Sequence, residues 1–225
     1  MEVPAFRRVL RVLLDRYKPK NWAVGLDSFE ALMSIIVSQN STDLVTGRVM
    51  KELAARRPVR PKTIAEMRPE TLVEILRPAG LARQKVPKIQ EIARAIVEKH
   101  NGTMDAFIAA PAPVAREMLL ELPGVGPKTA DVWLNLVAGR DTMPMDTHIA
   151  RLVRRWHLST AKDYDGINVD LRRFVPEHER QAGHLALIHF GREICQARRP
   201  RCEVCPVYED CDAEEKRPRR AAAEG

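Results

Sequence analysis

Aromatic residues are scarce in this chain: three Trp, three Tyr and five Phe make up 5% of its 225 residues. Runs that alternate apolar and polar residues are nearly absent as well, so a sandwich or barrel built from half-buried strands is excluded. No apolar run reaches the ~20 residues that a membrane-spanning helix needs. The longest nearly uncharged stretch, Ala31 to Thr42, breaks into polar Ser38, Gln39 and Asn40. The opening MEVPAFRRVLRVLLDRY has apolar residues at helical spacing, but Arg7, Arg8, Arg11 and Asp15 interrupt it, and no signal-peptide core is present. A cytoplasmic chain with no membrane partner is expected. Cysteine is absent from the first 194 residues, and all four lie between Cys195 and Cys211. In a cytoplasmic chain that crowding points to metal or cluster ligation before disulfides.

What is present is helical periodicity and positive charge. Phe29, Leu32, Met33 and Ile36 fall at i, i+3, i+4, i+7, with Asp27 and Glu30 placed like a capping box. Ile89, Ile92, Ala93 and Ile96 repeat the pattern after Pro87. Pro and Gly cut the rest at Pro58, Pro61, Pro69, Pro78–Gly80, Pro111–Pro113 and Pro123–Pro127, which predicts an all-α chain of many modest helices. The 37 Lys and Arg against 30 Asp and Glu leave a net charge of +7. Clustered cations gain free energy by releasing counterions condensed on nucleic acid, so a polyanionic partner fits, though charge alone does not choose it over a membrane surface or plain solubility.

Leu122 to Ala130 reads LPGVGPKTA. Gly124 and Gly126 can take backbone angles that other residues avoid, and Pro127 suits the first position of a new helix. Met118, Leu119 and Leu122 give an apolar face upstream, and Val132, Trp133, Leu136 and Val137 give one downstream. Two helices can therefore pack as a hairpin around Val125, with the N–H groups of Gly124, Val125 and Gly126 and of the second helix available to a phosphate. Lys128 sits in this turn either to hold an anion or to attack something. The cysteines are spaced C-x6-C-x2-C-x5-C, as Cys195, Cys202, Cys205 and Cys211. Four thiolates in that span suit tetrahedral zinc or a cubane iron–sulfur cluster. The loop between the first two carries Arg198, Arg199 and Arg201, cations placed to meet phosphates or simply a solvated basic surface.

Together LPGVGPKTA, the downstream MDTHIARL from Met145 to Leu152, and the cysteine spacing resemble the endonuclease III family of helix-hairpin-helix DNA glycosylases. The resemblance implies an all-α fold of two domains: a central helical bundle over 23–135 that contains the hairpin, and an iron–sulfur domain made of 1–22 and 136–213. The charged, Ala-rich end over 214–225 is expected to be a disordered tail. It further implies a [4Fe–4S] cluster on Cys195, Cys202, Cys205 and Cys211. The implied partner is double-stranded DNA carrying a damaged pyrimidine or an abasic site, bound by a monomer. The family's catalytic lysine falls on Lys128 and its aspartate on Asp146, which also suits a helix cap. Such a lysine must lose its proton to attack, and partial burial at a helix start would help. Asn40, with Gln39 as the alternative, and Leu81 match positions that fill the gap left by an extruded nucleotide; each also suits an ordinary turn. His148 is expected in a structural hydrogen bond, and His184 and His189 are expected to face a core or the cluster domain rather than ligate a metal.

The implied activity is a bifunctional one, removal of oxidised pyrimidines followed by β-elimination at the abasic site. The competing readings are a non-catalytic DNA-binding hairpin module and a mismatch-specific relative. Relatives acting on mispaired adenine lack this lysine, and those acting on mispaired thymine commonly carry tyrosine there, so Lys128 argues against both. Met145, Pro127 and a long segment between Asn101 and Leu122 depart from the family's common pattern and bear on substrate range.

Overall fold

A computed structural model describes residues 1–218, and every regular element among them is helical. In chain order the helices are α1 (Val3–Tyr17), α2 (Ser28–Ser38), α3 (Asp43–Arg56), α4 (Pro61–Glu66), α5 (Pro69–Leu76), α6 (Ala82–Lys99), α7 (Asp105–Ala109), α8 (Ala112–Leu120), α9 (Pro127–Leu136), α10 (Thr147–Arg155), α11 (Tyr164–Phe174) and α12 (Arg180–Glu193). Pro61, Pro69 and Pro127 open α4, α5 and α9, where a missing N–H costs no helix bond. No helix of the described residues is long and apolar enough to cross a membrane.

The chain divides into two units, one of Ala23–Arg140 and one that joins Met1–Trp22 to the chain from Asp141 onward. In the first, α2 is central because its sequence SFEALMSIIVS is apolar on nearly every side. Eight of its eleven residues are buried, and it packs on α3, α6 and α9. Asp27 caps it by accepting the Phe29 N–H at 3.0 Å. The fully buried Trp133 of α9 donates its indole N–H to the Ser28 carbonyl at 2.9 Å, which pins α9 to the start of α2.

The helix expected after Pro87 begins earlier, at Ala82, with Pro87 inside it. Buried Ala82, Lys85, Val86 and Ile89 carry the same helical stripe back through the proline, and that packing outweighs one missing backbone bond. The expected boundary at 135 also moves. Val137 and Ala138 donate their backbone N–H to Trp133, Arg140 donates its own to Leu134, and the Arg140 guanidinium bonds the carbonyls of Ile108 and Ala110, so the chain leaves this unit only after Arg140.

In the second unit α12 packs on α1 and α10, and α1 also packs on α11. Phe6, Val9, Leu10 and Leu13 form the buried stripe of α1. Phe6 meets Trp156 edge-on at 6.1 Å, and Trp156 stacks on Phe190 at 5.7 Å. Cys205 and Val207 belong to this same core, so the cysteine loop is rooted in it. His184 is buried, with Nδ1 3.0 Å from the Pro144 carbonyl, while His189 faces the same unit at its surface, exposed and stacked on Tyr17.

The expected tail needs correcting where it is described. Ala213 is buried, and the Lys216 ammonium donates to the Cys211 carbonyl at 2.9 Å while lying 4.1 Å from the Tyr208 ring centre. A cation with a carbonyl and an aromatic face to bind orders the chain past the last cysteine. The remainder of that expectation, 219–225, lies outside the described residues.

Helices α10 and α12 cross closely at Gly191, where an added Cβ would lie 2.8 Å from the His148 Cβ. A Cβ held by its own backbone cannot swing aside. Gly191→Ala is therefore expected to cost about 1–3 kcal/mol of stability, read as a lower urea midpoint with an unchanged denaturant slope.

Candidate functional site

The hairpin forms as its residues require. α8 and α9 pack together, Val125 is buried between them, and its N–H donates to the Leu122 carbonyl at 3.1 Å. Gly124 has φ 75°, the left-handed region that favours glycine. Gly126 is different from expectation: its φ of −99° and ψ of 174° are open to any residue. What Gly126 offers is space, since a Cβ there would have nothing within 4 Å. It also caps α9 without a side-chain bond, so the first N–H groups of α9 face whatever approaches. Lys128, the second residue of α9, is exposed and not partly buried as expected.

Within the same unit, one turn is bonded to this hairpin and a second lies beside the first. The Gln39 amide donates to the Thr129 hydroxyl at 3.4 Å, next to Lys128 in sequence. That contact turns Gln39 toward α9 and leaves Asn40 at the crest of the turn, exposed, with φ 56°. Leu81 precedes α6 with φ 53° and is 47% exposed. A non-glycine residue in this region carries roughly 1–2 kcal/mol of strain, which Asn tolerates better than Leu. The two turns lie side by side, since a Cβ added to Gly80 would meet the Asn40 carbonyl oxygen at 3.7 Å.

Between them lies a residue that the sequence did not single out. Lys85 is 5% exposed, and its ammonium donates to the carbonyls of Val37 at 2.8 Å and Ala79 at 2.9 Å. Burial pushes its pKa down from the ordinary lysine value. The one available signal was a lysine on the stripe of α6 that otherwise carries Ala82, Val86 and Ile89.

In the other unit, Asp146 caps α10: its Oδ1 accepts from the N–H of His148 at 2.9 Å and of Ile149 at 2.8 Å. Both bonds go to one oxygen, so Oδ2 lies outside the cap. His148 has the expected structural bond, its Nδ1 lying 3.2 Å from the Arg151 guanidinium, and burial lowers its pKa.

Cys195, Cys202, Cys205 and Cys211 line one cavity, whose walls include Trp156, Phe190, Ile194 and Val207. Among the described residues no group of three or more His, Cys, Asp or Glu closes around a single-ion position. Arg155, 5% exposed, donates to the Cys195 Sγ at 3.1 Å and to the carbonyls of Gln196 at 2.9 Å and Ala197 at 3.1 Å. Arg151 bonds the Cys195 carbonyl at 2.9 Å and that of Gly191 at 2.7 Å. These arginines, one helical turn apart on α10, were also missed; an arginine directly before buried Trp156 was the signal. Burial pushes the Cys205 thiol up to about 11 and the Cys195 thiol in the same direction, with Arg155 pulling the latter back. Four cysteines around an apolar cavity, with a donor aimed at one sulfur, fit an iron–sulfur cluster, whose sulfurs accept such bonds. Arg198, Arg199 and Arg201 stand exposed on the loop between the first two cysteines.

Comparison with known proteins agrees with both halves. Residues 33–177 match the HhH-GPD superfamily base excision DNA repair protein, and residues 195–211 match the iron–sulfur binding domain of endonuclease III. The chain is 34% identical over 190 residues to the endonuclease III of Haemophilus influenzae, covering 84% of this chain and 85% of that one. It is 32% identical over 198 residues to that of Bacillus subtilis, covering 88% and 86%. A trapped endonuclease III–DNA covalent intermediate is similar in structure, with TM-score 0.81 at 27% identity over 94% of this chain and 96% of that one.

The cap and the charge of Asp146 are separable. Asp146→Asn keeps an acceptor for both N–H groups and is expected to leave the melting temperature nearly unchanged. Asp146→Ala removes the acceptor and is expected to cost about 0.5–2 kcal/mol, measured by denaturation of the two variants side by side.

Proposed function

This chain belongs to the endonuclease III family of the HhH-GPD superfamily of base excision DNA repair proteins, and from that membership we propose how its own residues divide the work. The enzyme is a DNA glycosylase and abasic-site lyase with an iron–sulfur cluster. Its substrate on this reading is duplex DNA carrying an oxidised pyrimidine, bound by a monomer at the nucleoid of a bacterial-type cytoplasm; the endonuclease III relatives and their DNA complexes support the DNA substrate.

Lys128 is the nucleophile. Its unprotonated Nζ adds to C1′ of the damaged nucleotide, the bond from C1′ to the base breaks, and the base leaves with a proton from Nζ; the nitrogen lone pair then breaks the bond from C1′ to the ring oxygen, which takes up a proton from solvent as the sugar opens. The resulting protonated imine acidifies C2′. Loss of a C2′ proton then breaks the bond from C3′ to its oxygen and cuts the strand, and water releases Lys128. Asp146 stabilises the positive charge that develops on the sugar, through the oxygen its cap leaves over. The N–H groups of Gly124, Gly126 and the first turn of α9 hold a phosphate, with Val125, whose own N–H is taken by Leu122, shaping the turn; Asn40 and Leu81 fill the gap when the nucleotide leaves the stack, with Gln39 held against α9. Cys195, Cys202, Cys205 and Cys211 hold the [4Fe–4S] cluster, which supplies a rigid core for the loop that presents Arg198, Arg199 and Arg201. The observation that carries the reading is an exposed primary amine on the first turn of α9, directly after an open, uncapped glycine turn.

Borohydride reduction of the imine on abasic-site DNA tests it. Lys128→Ala is expected to bind DNA normally yet lose the covalent adduct and, on the order of 10³-fold or more, strand cleavage. A variant that still traps would move the nucleophile elsewhere. Replacing Arg198, Arg199 and Arg201 together by Ala is expected to weaken binding to all duplex sequences alike. The slope of log affinity against log salt should flatten by up to about 3, close to one unit for each phosphate that an arginine no longer neutralises.

A further inference from the structure

Lys85 is a costly residue to bury. An ammonium leaves water only where acceptors meet it, and Val or Leu would fill the same place on the α6 stripe without that cost. Its two acceptors are informative. Val37 lies in the last turn of α2, where its carbonyl has no helical donor because the Ser41 N–H bonds Ser38 instead. Ala79 ends the 3₁₀ turn before α6. Asn40 follows Val37 by three residues, and Leu81 follows Ala79 by two. Both are exposed, and both are held in the left-handed region. One buried cation therefore joins the roots of two strained turns that lie side by side at Gly80 and Asn40.

We propose that Lys85 is a positioning residue for base excision, clamping the Asn40 turn to the Leu81 turn so that the two enter the duplex as one unit. The inference rests on the reading that Asn40 and Leu81 fill the space of the extruded nucleotide. A lysine suits the task better than a residue with one donor, because its three N–H groups bond two carbonyls from different segments at once. The strain at Asn40 and Leu81 persists only while their surroundings hold them, and Lys85 is what their two segments share.

The test compares single-turnover rates on two duplexes, one with an oxidised pyrimidine and one with a preformed abasic site, where no base remains to be unpaired. Lys85→Met keeps the length of the side chain and removes the donors. Excision is expected to fall about tenfold or more, with abasic-site cleavage and borohydride trapping falling less than about threefold. Lys85→Arg, which keeps several donors, is expected to recover part of the loss. Asn40→Ala and Leu81→Gly should each slow excision in the native background and cost much less once Lys85 is Met. Equal losses on both substrates, or fully additive losses, would overturn the inference and leave Lys85 a purely structural residue. Should Lys85→Met fail to fold, the Asn40→Ala and Leu81→Gly cycle in the native chain decides, with non-additive losses supporting the clamp and additive ones overturning it. Native protein that neither excises nor traps would overturn the enzyme reading itself, and this inference with it.

Discussion

A helix satisfies its own backbone hydrogen bonds everywhere except at its ends, and every regular element among the described residues is a helix. That constraint decides where chemistry can sit. Lys128 is on the first turn of α9, Asp146 caps α10, Leu81 precedes α6, Gln39 and Asn40 follow α2, and Cys195 follows α12. Many short helices give many such ends. The prolines and glycines that shorten them are thus part of the functional design, since each break leaves N–H or C=O groups that must find a partner in the protein, in water or in a ligand.

Where those leftover groups are buried, the protein answers with a cation. Lys85 takes two carbonyls at the ends of α2 and of the turn before α6, and Arg155 takes three carbonyls and a sulfur in the cysteine loop. A single buried charge is expensive, but several short bonds to one charged donor each contribute more than a neutral pair would. Multivalence also makes each cation a tether between segments that share no other element. In both units the tethered carbonyls lie at helix ends or in loops, where backbone partners run out.

The same economy appears in residues with two tasks. Asp146 caps its helix with one oxygen and keeps the other outside the cap. Gly126 takes an ordinary extended conformation, and its missing side chain matters only for what approaches from outside. Residues such as these show little in isolation. Their second role depends on a neighbour or a ligand that the local chain does not contain.

The helical class, the hairpin turn and the cysteine set were legible because they are local: periodicity, proline at helix starts and ligand spacing each operate within about twenty residues. The stripe of Phe29, Leu32, Met33 and Ile36 made α2 legible as a core helix, while its burial on nearly every side was not. The early start of α6, the unit's end at Arg140 and the order around Lys216 were not legible, because each rests on contacts that the local pattern does not name. Lys85 and Arg155 were hidden for the same reason. A lysine or arginine on a helix is ordinarily solvated, and only the tertiary structure, by bringing orphaned carbonyls from distant segments against it, turns a charge that composition assigns to the surface into the tie that holds a turn in place.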